Sequence, residues 1–251
     1  MDLSALMAAQ ITGVVVVFAR IGSILMFMPG FGETRIPMRF RLIFALVLCL
    51  ALYPATPVGP LQFDSWLAFA PIVTIEVTIG LWIGLTARII MSALQLAGYQ
   101  IGFASGLANA FAPNMDMFQG ATIVASALLM LELVLIFATD LHHVIIRALL
   151  ASYSIFPTGQ VMLGDLAGHI VKAVDKSFYI GLSLAAPFYV MGMVMNAGLG
   201  LANRMMPSLP VFFVAGPIFT GAGLYILAVS APSMMRSFQQ SFAEWLSTLT
   251  F

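Results

Sequence analysis

Between positions 3 and 28 the chain carries a single charged side chain, Arg20, and apolar runs of this kind recur along its whole length. They cover roughly 3–28, 42–53, 66–87, 89–111, 121–138, 141–156, 178–202 and 211–231. Short separators divide them, at 54–64, 113–116, 157–165 and 204–210. A helix needs about 20 apolar residues to cross a hydrocarbon layer about 30 Å thick, so several of these runs are membrane-length. Charged residues make up 8% of the 251 positions and hydrophobic ones 61%; a soluble domain carries about 25% charged residues. So much apolar surface cannot be hidden inside a soluble chain of this size, which makes this an integral membrane or membrane-assembly protein. Membrane β-strands would alternate polar and apolar residues, and these runs do not. The expectation is an all-α integral membrane protein, with residues 1–251 forming one continuous domain.

As simple spans the runs are poor. The stretch 42–53 is too short, Pro187 and Pro217 interrupt two others, and Glu76, Arg88 and Glu132 lie inside or at the edges of more. Broken helices and buried charge are tolerated at membrane depth where protein or a water-filled cavity covers them. The pattern therefore favours a chain that packs against other subunits over a bundle bathed in lipid. Glu76 and Glu132 call for a partner, such as Arg20, Arg88 or a backbone group of a neighbouring subunit; proton transfer is the other reading of intramembrane carboxylates.

Charge is densest at 29–41, where Arg35, Arg39 and Arg41, three of ten basic residues, stand among Pro29, Gly30, Gly32 and Pro37. Basic residues beside membrane segments favour the cytoplasmic side. The N-terminus and the 54–64 loop, which has no Lys or Arg, are then expected outside. Met1-Asp2-Leu3 lacks the basic start of a signal peptide, so the first run is expected to stay in the mature protein.

Gly98, Gly102 and Gly106 recur every four residues, with Ala110 continuing the row. Gly80 and Gly84 form a second pair. Small residues at this spacing let helix backbones approach closely, within the chain or between subunits. The segment after the first row, 111–118, has the Pro-Asn chemistry of a loop yet carries Phe111, Met115, Met117 and Phe118. Such a loop either tucks against its own helices or forms an adaptable apolar gasket.

Nothing points to catalysis. No nucleotide-binding loop, serine nucleophile or zinc motif is present, no cofactor is implied, and no basic stripe suggests nucleic acid. His142 and His143 follow Asp140, but neighbouring helical positions point about 100° apart and His169 lies across a loop, which reads as a helix-end cluster without a metal. Cys49 reads as core packing.

Phe18-Ala19-Arg20-Ile21-Gly22, Met26-Phe27-Met28-Pro29-Gly30-Phe31-Gly32-Glu33 and Arg35-Ile36-Pro37 with Arg39 and Arg41 resemble the N-terminal signature of the FliR/SctT family of type III secretion export gate proteins. The similarity continues in order through 98–113, Asp140-Leu141-His142-His143 with Ile146-Arg147-Ala148-Leu149, Gly200–Pro207 and 211–214. Local departures are Ala112, where the family often has Asp, and Leu141, where it often has Gly. The resemblance implies kinked helical hairpins in a helical assembly with FliP and FliQ, which surrounds a channel for unfolded flagellar substrates. FlhB and FlhA would be neighbours, and the setting would be the bacterial inner membrane at the flagellar basal body. It further implies that 106–119 forms a plug, with Phe111, Met115, Met117 and Phe118 as its seal, and that the arginine corner braces neighbouring subunits and lipid headgroups. A virulence-type gate subunit is the alternative within the family. A small secondary transporter is the alternative outside it, although no inverted repeat is visible.

Overall fold

A computed structural model describes residues 3–33, 35–61, 63, 65–107, 123–160, 163–205 and 211–249. Regular structure among them is entirely helical. In chain order the helices are α1 (Leu3–Phe27), α2 (Met38–Leu52) with a 3₁₀ turn at Tyr53–Ala55, and α3 (Trp66–Ala104). They continue with α4 (Ile123–Ala138), α5 (Leu141–Ile155), α6 (Leu163–Met205) and α7 (Val211–Thr248). Five are long and apolar enough to cross a membrane. The pair α4–α5, bent by 78° at its break, makes a sixth if it counts as one span. The chain is an integral membrane helical protein.

Helix lengths depart from the apolar runs. The runs 66–87 and 89–111 join through Arg88 into the 39 residues of α3, because a lone arginine is a good helix former and interrupts hydropathy without interrupting backbone hydrogen bonding. α6 reaches 43 residues and α7 38. At 1.5 Å per residue these three helices are about 57–65 Å long, roughly twice the hydrocarbon thickness. Pro71, Pro187, Pro217 and Pro232 lie within helices and end none of them. Each removes one donor, and in apolar surroundings the remaining backbone groups still find their partners most economically in the helix. α2 starts earlier than its apolar run, so Arg39 and Arg41 fall in its first turns.

The helices form two compact units, each assembled from separated stretches. The first contains residues 1–90, 136–174 and 243–251; the second contains 91–135 and 175–242. α3, α4, α6 and α7 each run from one into the other, so no single cut divides the chain.

In the first unit, α1 and α3 meet along a stripe of small residues. A Cβ on Gly80 would stand 2.6 Å from the Arg20 carbonyl oxygen and 2.7 Å from Ser23 Cβ. One on Gly84 would stand 2.7 Å from Phe27 Cβ. The core beside this seam holds Val16, Ile21, Ile24, Ile79 and Ile83, all essentially inaccessible. In the second unit the small residues again set the spacing. A Cβ on Gly98 would collide with the backbone of Ala125, and one on Gly181 would lie 2.9 Å from the Ala93 carbonyl. Leu94, Ile101, Phe188, Phe238 and Phe242 fill the space between.

The seam makes a direct prediction. Gly80→Ala should lower stability by about 1–3 kcal/mol through overpacking. Gly221→Ala, where a Cβ meets no described atom within 4 Å, should be neutral or stabilising by up to about 1 kcal/mol. Thermal unfolding of the purified chain in detergent distinguishes the two.

Candidate functional site

Arg20 and Glu76 are both wholly buried, and they find each other across the α1–α3 seam. Arg20 Nε donates to Glu76 Oε2 at 2.6 Å and Nη2 donates to Oε1 at 3.0 Å, a bidentate pairing. Nη1 donates to the carbonyls of Ser152 at 3.2 Å and Phe156 at 2.7 Å. Ser152 O also accepts the Phe156 N–H that closes α5, at 2.9 Å, so Arg20 shares one carbonyl of the last turn and takes that of the cap residue, and a cation there complements the helix dipole. The guanidinium carbon sits 4.2 Å from the centre of the Tyr153 ring, within range of cation–π attraction. The backbone N–H of Gly159 donates to Glu76 Oε1 at 3.1 Å. One ion pair therefore ties α1, α3, the end of α5 and the turn that follows it.

Local sequence prepares this pairing. Glu76, Gly80 and Gly84 recur every four residues, so the carboxylate heads the smooth stripe on α3. Arg20, Ser23, Ile24 and Phe27 form the matching face of α1. Without glycines at 80 and 84 the backbones would stand too far apart for a bidentate contact. Between the two glycines on α3, Trp82 donates from Nε1 to the Leu166 carbonyl at 3.0 Å. Its ring also meets Phe156 and His169 edge-on.

The arginine corner is built from the α1–α2 turn. Gly30 adopts φ 86°, a left-handed conformation that suits glycine, and Gly32 N–H donates to the Met28 carbonyl at 2.8 Å. Phe31 stacks on Phe44 with ring centres 5.4 Å apart and meets Phe137 edge-on at 5.8 Å. Arg35 and Arg39 are exposed and Arg41 is partly buried. Arg88 joins them from α3, donating from Nε to the Phe27 carbonyl at 3.1 Å and from Nη2 to the Gly32 carbonyl at 2.9 Å. Arg41 Nη1 reaches the same Gly32 oxygen at 3.3 Å.

At the α4–α5 break Asp140 holds φ 59°. The His142 and His143 rings lie 4.1 Å apart, and His143 Nδ1 is 3.6 Å from Asp140 Oδ1. The three candidate ligand atoms lie within 4.8 Å of one another. This differs from the sequence-based expectation that adjacent histidines diverge and that a third ligand is missing. The Cβ directions diverge, but the rings swing together, and the left-handed Asp140 supplies the third group. His143 and Asp140 are 60% and 79% exposed at the N-terminal end of α5, where the helix dipole opposes a cation, so the arrangement carries no metal assignment.

Other expected positions fall as follows. Gly98 lies tightly against Ala125 and Gly102 is buried. α3 ends at Ala104, and Gly106 stands beyond it at φ 68° with no described atom near its Cβ direction. Phe111, Met115, Met117 and Phe118 lie outside the described residues. Glu132 is fully buried in the second unit, facing Gln239 of α7. Sequence reasoning named Arg20 among three choices for Glu76. It missed the Ser152 and Phe156 carbonyls and the role of Arg88 in closing α1. The available signal for Arg88 was its place one membrane thickness into an apolar helix.

Residues 11–245 match the family described as bacterial export proteins, family 1. The chain is 40% identical over 246 residues to the flagellar biosynthetic protein FliR of Caulobacter vibrioides, covering 97% of this chain and 98% of that protein. It is 27% identical over 226 residues to the flagellar biosynthetic protein FliR of Escherichia coli, covering 88% and 85%. It is also 27% identical over 195 residues to the Yop proteins translocation protein T of Yersinia pestis, covering 75% and 73%.

Removing one member of the buried pair strands the other. Arg20→Met or Glu76→Met alone should cost about 3–5 kcal/mol, whereas the double substitution should cost clearly less than the sum. Chemical or thermal unfolding of the four variants in detergent measures the coupling, and simple additivity would mean the pair is not formed.

Proposed function

The chain belongs to the bacterial export proteins of family 1, and from that membership we propose that it is a subunit of the flagellar type III export gate. With FliP and FliQ it forms the channel through which unfolded flagellar proteins cross the inner membrane at the basal body; FlhB and FlhA are its neighbours. The observation that carries this reading is the match to a flagellar relative over 97% of this chain and 98% of that protein. The physical features agree. Three helices exceed the bilayer thickness, and α2 and α7 present large apolar residues such as Phe40, Val47, Tyr225 and Val229 outward, the surface a subunit of a larger membrane assembly needs. The role is structural rather than catalytic.

In this reading the 106–119 segment plugs the closed channel, and Phe111, Met115, Met117 and Phe118 form a seal that excludes water until a substrate threads through. Gly98, at its tight contact with Ala125, anchors the segment leading into it, together with Gly102 and Gly106. Arg35, Arg39 and Arg41 mark the cytoplasmic side by the positive-inside rule. The virulence-type branch is the second reading, favoured only by the shorter match to the Yersinia protein.

Two measurements test the proposal. The chain, purified in mild detergent from its host, should come out in a stable complex with FliP and FliQ; recovery alone or as a homo-oligomer would contradict it. Deleting residues 112–118 should raise ion conductance of the membrane while leaving the complex assembled. Unchanged conductance and export would rule out the plug.

A further inference from the structure

Arg41 and Arg88 are neighbouring cations of the first unit. Both donate to one acceptor, the Gly32 carbonyl oxygen, at 3.3 and 2.9 Å, which brings two guanidinium groups to the same place. Neither has a carboxylate within ion-pair distance among the described residues. Arg41 Nε is shut off from solvent and has no hydrogen-bond partner among the described residues. A guanidinium offers five donors, and the bonds to the Gly32 and Phe27 carbonyls use three of the ten present. Two like charges brought to one acceptor gain from an anion placed between them.

The two arginines line a pocket of about 320 Å³ with Met26, Phe27, Gly32 and Met38. That is far more than the roughly 30 Å³ share of one water molecule. One end is cationic and the walls are apolar, so the space suits an anion attached to something greasy. Its depth agrees. Counting from Trp66, Arg88 follows 22 residues of α3, about 33 Å at 1.5 Å per residue, which is one hydrocarbon thickness. α1 ends at the same level, since Arg88 closes its last carbonyl. Beside the pocket, Met38 and Phe40 are exposed and offer a surface for acyl chains.

We propose that Arg41 and Arg88 form a phosphate-binding pocket at the α1–α2 turn that takes the headgroup of an anionic phospholipid. Guanidinium groups match phosphate oxygens in paired hydrogen bonds, and the methionine and phenylalanine walls take the glycerol and first methylenes. Free phosphate shares the charge chemistry but gains nothing from those walls. The inference rests on the chain lying in a membrane and is independent of the export-gate reading.

The test is native mass spectrometry and thermal unfolding of the purified protein, in whatever complex it retains. Phosphatidylglycerol, phosphatidylcholine or inorganic phosphate is added in separate arms. Phosphatidylglycerol should be retained and should raise the melting temperature, with phosphatidylcholine and inorganic phosphate giving neither effect. Arg41→Gln should weaken phosphatidylglycerol binding about tenfold or more, the loss of a charge-assisted contact; Arg41→Lys, which keeps the charge, should lose less. Equal retention of the two lipids by the wild-type protein would overturn the proposal even if the variants fail to fold. Stabilisation by inorganic phosphate without retention of lipid would overturn the lipid assignment, and so would undiminished lipid binding by a folded Arg41→Gln.

Discussion

A guanidinium and a carboxylate enclosed together between apolar helices set the terms for the first unit. Charge without water is costly, and the cost is offset only when geometry is good and the remaining donors and acceptors are satisfied. Arg20 and Glu76 meet both conditions: they pair through two bonds, and Ser152, Phe156, Gly159 and the Tyr153 ring take up what remains. The pairing demands close backbones, which accounts for Gly80 and Gly84. It also demands that the end of α5 present the Ser152 and Phe156 carbonyls at one spot. A geometry so constrained gives the unit a fixed register that apolar packing alone, in an apolar solvent, would specify weakly.

In the second unit small residues again set the helix spacing. Gly98 against Ala125 and Gly181 against Ala93 bring helices into contact through their backbones, and aromatic rings fill the remaining space. Close packing by small residues is the association force available where lipid tails are as apolar as leucine. Both units thus depend on glycines placed at helical spacing, and α3 carries them for both: Gly80 and Gly84 early, Gly98 later. This explains why a single helix of 39 residues is more useful here than two separate spans.

Much of this was legible in the sequence, and the failures have physical causes. Class and helicity followed from apolar runs and scarce charge. The Gly80–Gly84 pair was readable as a packing face from spacing alone. Helix ends were not: hydropathy breaks at Arg88 and fades before 178 and after 231, whereas backbone hydrogen bonding carries α3 through Arg88, starts α6 at Leu163 and takes α7 on to Thr248. The partner of Glu76 was narrowed to a short set that contained Arg20, but choosing among them needs the crossing of α1 and α3, which is a tertiary property. Asp140 was noted beside the histidines but not as a third group with them, because the left-handed backbone that places it there is not visible in sequence. The seal residues at 111–118 remain a reading of sequence and family.

Family membership, long helices and outward apolar faces converge on a subunit that works inside an assembly moving proteins across a membrane. The most direct measurement is secretion. In the host from which this chain is removed, flagellar filament and hook proteins in the culture medium should fall to background and motility should disappear, with both restored by the intact chain. Undiminished secretion of those proteins in its absence would contradict the account.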